Sequence, residues 1–108
     1  MLNLDLQPTP PSRRLDIRRI SRAALRHSDW LVCHWLPNGQ RQGSEWVARN
    51  PKRGDRRPGS FKINLKSGRW ADFATGDAGG DLISLYAYLN DLGQLQAAIR
   101  IEKELTYE

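Results

Sequence analysis

The chain predicts an α+β fold: a three-stranded antiparallel sheet with two helices before it and two after it. Three observations carry this. Phe61, Ile63 and Leu65 alternate with Lys62, Asn64 and Lys66, the two-residue period of a half-buried strand. Residues 16–27 and 81–105 space their apolar side chains at three and four, the period of a helix with one buried face. Glycine and proline clusters at 37–39, 50–59 and 76–80 separate these segments. At 108 residues the chain is one domain with one modest core.

Residues 1–12 hold Pro8, Pro10 and Pro11 without periodicity and are expected to form an extended arm, leaving 13–108 as the domain. In the first helix, 16–27, Asp16 is the N-cap and Ile17, Ile20 and Ala24 share a face. Arg18, Arg22 and Arg26 stack at four-residue spacing on another face, with Arg19 beside them. Like charges so placed repel, so either water solvates them or an anion neutralises them. A second helix, 29–36, ends at Pro37-Asn38-Gly39. Its buried stripe is either Trp30, Cys33 and Leu36 or Leu31 and Trp35. Cys33 and His34 are adjacent and point apart on a helix, so core packing is expected for Cys33.

Strands follow at 45–49, 60–66 and 69–73, with the polar stretch 50–59 as a loop and Ser67-Gly68 as a two-residue turn. Asp81 caps a helix reaching about Asn90, whose buried stripe is Leu82, Leu85, Tyr86 and Leu89. Gly93 divides it from a last helix, 94–105, with Ala97, Ala98, Ile101 and Leu105 inward.

Charge is unevenly distributed. Residues 13–27 carry six Arg and one Asp, residues 41–69 carry nine Lys or Arg and two acids, and residues 70–108 carry seven acids and two bases. This asymmetry implies a face suited to a polyanion. Arg49, Lys52, Arg53, Arg56, Arg57, Lys62, Lys66 and Arg69 fall within 21 residues, and Asn64 sits between Lys62 and Lys66 on the same strand face. Cations of this kind follow a phosphate backbone, and an aromatic face beside them stacks on unpaired bases. Trp46 or Trp70 is the expected aromatic, and Trp70 is counted with the binding residues; core packing is the competing role for each.

Other chemistry is poorly supported. Gly76-Asp77-Ala78-Gly79-Gly80-Asp81 lacks the Lys-Ser/Thr of a phosphate loop, and Asp81 at the helix start would repel phosphate. Asp72, Asp77 and Asp81 are better explained as the partner of a neighbouring Arg, a turn residue and a cap than as a Mg²⁺ site. His27 and His34 have no nucleophile partner at a telling spacing, so no catalysis and no cofactor are expected. There is no apolar run of membrane-helix length and no signal-peptide pattern at the start. With Cys33 the single cysteine, a reducing, cytoplasmic setting and a monomer are expected.

The order Pro58-Gly59-Ser60-Phe61, Trp70-Ala71-Asp72-Phe73, Gly79-Gly80-Asp81 resembles the zinc ribbon that opens bacterial and phage replicative primases. Asp72-Phe73-Ala74-Thr75-Gly76 followed by Gly79-Gly80-Asp81 is closer still to a zinc-less segment in the N-terminal region of phage and plasmid primase-helicases. The likeness covers about residues 45–90. The family's ligand pairs fall near 47–50 and 71–78, where no thiol or imidazole stands, so the resemblance implies the scaffold without its metal. Packing of Trp46, Trp70 and Phe73 is expected to replace the zinc as a staple. The resemblance also implies a module that recognises single-stranded DNA, or RNA, for a primase, polymerase or helicase catalytic domain. On that expectation the chain is either a fragment or a stand-alone subunit. A different expectation is a protein-docking module that uses the acidic C-terminal helices, with Glu102 and Glu104.

Overall fold

The computed structural model describes residues 16–54 and 59–106. The expected N-terminal arm and the loop residues Arg56 and Arg57 lie outside them. Four helices, α1 (Ile17–Arg26), α2 (Ser28–Trp35), α3 (Leu82–Asn90) and α4 (Gln94–Thr106), accompany a sheet of five strands. The strands are β1 (Gln40–Gln42), β2 (Glu45–Ala48), β3 (Phe61–Asn64), β4 (Trp70–Asp72) and β5 (Ala78–Gly79). They pair antiparallel in chain order, each with the next.

The α+β class stands, but the expected three-stranded sheet is extended by a short strand on each side. β1 is Gln-Arg-Gln, exposed at every residue, and folds back on β2 through a turn in which Gly43 adopts φ 63°. β5 is two residues of the glycine cluster at 76–80, expected only to separate β4 from the next helix. Its Gly79 faces Trp70, and the indole takes the space a side chain would need. The turn between β3 and β4 is also longer than expected. Gly68 donates its amide to Asn64 O across four residues at 2.8 Å, and Asn64 Oδ1 accepts the amides of Lys66 and Ser67 at 2.9 Å. Gly68 carries φ 82°, which suits glycine.

The helix ends follow the sequence. Asp16 Oδ1 accepts the Arg19 amide at 3.1 Å. Asp81 and Ser84 form a reciprocal cap, with Asp81 Oδ1 accepting the Ser84 amide at 2.8 Å. In α2 the buried residues are Ser28, Leu31 and Val32, followed by Leu36. Trp35 is half-buried, whereas Trp30 is 46% exposed and stacks on His34, so the first stripe considered for this helix is not the buried one.

All four helices send buried side chains to one cluster with the inner sheet face, where Phe61, Ile63, Leu65 and Trp70 meet Leu31, Leu85 and Ile101. Each fully buried aliphatic side chain here contributes about 1.5–3 kcal/mol. The aromatic staple differs from the expected trio. Phe61, Trp70 and Tyr88 come together, with Trp70 and Tyr88 centroids 4.8 Å apart. Trp46 packs at the cluster's edge and donates its indole N–H to Leu36 O at 2.9 Å. Phe73 is not in the core at all: it is 72% exposed.

The Trp70 indole is held tightly. Its Nε1 donates to Ser84 Oγ at 2.9 Å, and that hydroxyl donates in turn to Asp81 O at 2.8 Å. A methyl group on Gly79 would overlap Ser84 Oγ and Trp70 Nε1 and lie 2.6 Å from Trp70 Cε2, whereas one on Gly80 would meet nothing within 4 Å. Gly79→Ala is therefore expected to destabilise the fold by about 1–3 kcal/mol, the range of core overpacking. Gly80→Ala, its neighbour, should change stability by less than about 0.5 kcal/mol. Urea denaturation of both variants checks the contrast, and equal effects would refute the interlock.

Candidate functional site

Two neighbouring regions hold the candidate residues: the loop after β2 and the outer face of the sheet. The loop is anchored by a buried polar knot. Asn50 and Asp72 are both 0% exposed. Asn50 Nδ2 donates to Asp72 Oδ2 and to Tyr88 Oη, each at 2.8 Å, while Asn50 Oδ1 accepts the Lys52 amide at 2.9 Å. Asp72 Oδ1 accepts the Ala74 amide at 2.9 Å, which turns the chain out of β4. Tyr88 Oη donates to Asp77 Oδ2 at 2.8 Å.

Burial alone would raise the Asp72 pKa. The Asn50 hydrogen bond, the Ala74 amide, the Ser60 hydroxyl and the Arg53 charge outweigh it and bring the carboxyl down to about 2. Burial, together with the Asp77 carboxylate it faces, pushes the Tyr88 phenol up, so it stays a donor.

The knot holds the loop's cations against the protein. Lys52 Nζ pairs with Asp91 and lies 5.3 Å from the Tyr88 ring centre. Arg53 Nη1 reaches Asp72 Oδ2 at 3.5 Å and Ser60 Oγ at 3.4 Å. Arg49 is half-buried and lines a hollow with Trp35, Leu36 and Pro51. Lys52 and Arg53 thus serve the fold's own contacts, and Arg56 and Arg57 fall outside the described residues.

The outer sheet face is different. Lys62 and Asn64 project from it, as the alternating burial of β3 requires, and the register continued past Ile63 puts Arg69 opposite Asn64. Phe73 follows β4 on the same side, its amide bonded to Ser60 O at 2.8 Å. Lys62 Nζ stands 5.9 Å from the centre of the Phe73 ring. Lys62, Asn64, Ser67, Arg69 and Phe73 line a shallow groove of about 240 Å³, with Glu45 its one acid. Neither Lys62, Lys66 nor Arg69 pairs with a described carboxylate.

Trp70 also lines this groove, but it is 5% exposed and its ring is engaged by Ser84, Gly79 and Tyr88, so its packing is that of a core residue and not of an open stacking platform. Asn64 lines the groove, but its carbonyl oxygen is spent on the turn. Asn50, Tyr88 and Phe73 were missed in their actual roles. Alternation along the strand sets Phe73 on the face opposite Asp72, but that Asp72 is the inward one follows only from its contact with Asn50.

Among the described residues no three His, Cys, Asp or Glu side chains gather as a metal-binding group, and no helix is long and apolar enough to cross a membrane. Asp72, Asp77 and Asp81 each hold a structural partner instead. Comparison of the chain with protein-family models, curated proteins and solved structures yields no match.

The Asp72 shift has a consequence for acid stability. Its folded pKa lies below the ordinary 3.8, so the carboxylate stabilises the fold above about pH 4, and that contribution fades as pH falls through 3.8 towards 2. The expected loss is about 2 kcal/mol. Asp72→Asn should lower stability at neutral pH by a similar amount and flatten the difference from wild type below pH 3. Denaturant titrations across pH 2–7 measure both; a constant difference between the two proteins would refute the assignment.

Proposed function

We propose that this chain is a single-stranded DNA-binding module that presents template to a primase or primase-helicase catalytic domain in the cytoplasm. One observation carries the reading: an exposed aromatic ring, Phe73, stands on the sheet face that the described helices leave open, with Lys62 over it and Arg69 in the same groove. An unpaired base offers a flat face to such a ring, and stacking contributes about 1–3 kcal/mol per base. A paired base inside a duplex does not. The flanking cations supply phosphate contacts. The primase-like order of residues 58–81 supports the same reading.

Fluorescence anisotropy with a labelled oligonucleotide tests it. Phe73→Ala should weaken single-strand binding by about 5- to 150-fold, equivalent to the stacking range, and scarcely change duplex binding. Lys62→Ala and Arg69→Ala should each weaken binding and reduce the log–log salt slope by about 0.7. Glu45→Gln, which removes the groove's acid, should tighten it. Absence of binding at low salt, or binding indifferent to Phe73, would overturn the proposal and favour protein docking.

A further inference from the structure

The arginine row of α1 lies outside the groove just described, yet its placement is informative. Arg18 and Arg22 line one side of α1 with Ile17, Ser21, Leu25 and Asp81, in a hollow of about 300 Å³. Arg19 lies on the other side, beside Glu102 of α4. None of Arg18, Arg22 and Arg26 pairs with a described carboxylate. Asp81 is the acid lining that hollow, but one of its carboxylate oxygens is occupied by the Ser84 amide, as one of the N-cap Asp16 is by the Arg19 amide. The repulsion along the row is therefore left uncompensated by the described residues.

The turn between β3 and β4 connects this row to the sheet. A methyl group on Gly68 would lie 3.5 Å from Leu25 Cδ1 and 3.5 Å from Asp81 Cα, so the turn is seated against the end of α1. Ser28 Oγ, just past α1, donates to Leu65 O at 2.6 Å and fixes the same junction. Lys66 is exposed within this turn, and Arg69, which leaves it, lines the outer groove.

We propose that the α1 arginines, Lys66 and the outer groove form one continuous phosphate track, which takes a single strand longer than the groove alone can hold. This rests on reading the groove as a single-strand site. From Arg18 to Arg26 the helix advances about 12 Å. From Lys62 to Lys66 the strand and turn advance about 13 Å at most. The helix thus roughly doubles the track. α1 contains no aromatic residue, so this half contacts phosphates and leaves bases free, while Phe73 holds the base-stacking end.

The test compares labelled oligothymidines of about 4 and about 15 nucleotides on the full chain over a salt series. The longer strand should show a salt slope steeper by about 2, the value for three added phosphate contacts. The combined variant Arg18→Gln, Arg22→Gln, Arg26→Gln should return that slope to the short-strand value and leave short-strand binding unchanged. Arg22→Gln alone should remove about a third of the excess. The melting temperature of the triple variant should not fall, because the substitution relieves like-charge repulsion. If the triple variant leaves the long-strand slope intact, or weakens both lengths equally, the track is refuted while the groove stands. If Phe73→Ala has no effect on the short strand, the groove reading fails and the track falls with it.

Discussion

The buried contact between Asn50 and Asp72 is the constraint on which the rest of the sheet's end depends. A carboxylate removed from water is costly unless donors surround it. Here the Asn50 amide, the Ala74 amide and the Arg53 guanidinium do so. Asn50 in turn spends its side chain on Asp72, Tyr88 and the Lys52 amide. Three segments distant in sequence are joined: the loop after β2, the end of β4, and α3. Removing either partner leaves the other buried with an unmet hydrogen bond, which costs more than the bond itself contributes.

This contact also settles which side of β4 is which. With Asp72 inward, Trp70 is inward and Ala71 and Phe73 are outward. The large exposed ring is thus the other side of a well-satisfied buried charge. A division of labour among the charges follows. Asp77, Asp81, Asp91 and Glu104 each engage a partner within the fold, in order Tyr88, Ser84, Lys52 and Trp35. Lys62, Lys66 and Arg69 face outward without a described acidic partner. The Trp35–Glu104 bond, at 2.9 Å, draws one of the two glutamates considered for protein docking into helix packing.

Much of this architecture is legible in the residues themselves. The periods of α1, α3 and α4, the caps at Asp16 and Asp81, and the alternation of β3 are local signals, and each element forms within a residue or two of its expected place. The outer strands are not legible, because Gln-Arg-Gln has no apolar alternation and Ala78-Gly79 looks like turn chemistry; both are strands only because a neighbour supplies the ladder. The exchange of Trp70 for Phe73 has a similar cause. Trp-Ala-Asp-Phe carries one aromatic on each face of a strand, and nothing within those four residues says which face is covered. That information sits in Asn50 and Tyr88, 22 and 16 residues away. The basic stretch was readable as a cluster, but its split into internally paired and outward cations depends on Asp91 and Asp72, contacts made in three dimensions.

The short outer strands also bear on how the molecule behaves in company. A sheet ending in a long apolar strand offers an unpaired backbone edge that other chains can extend. This sheet ends on one side in three exposed polar residues, with Arg41 at their centre drawn towards Asp29, and on the other in two small residues that run directly into the capped start of α3. Neither border gives an intruding strand more than a few hydrogen bonds or an apolar side chain of any size to grip. Borders this short are poor templates for strand addition, which lowers the risk that an open face beside them brings backbone polymerisation.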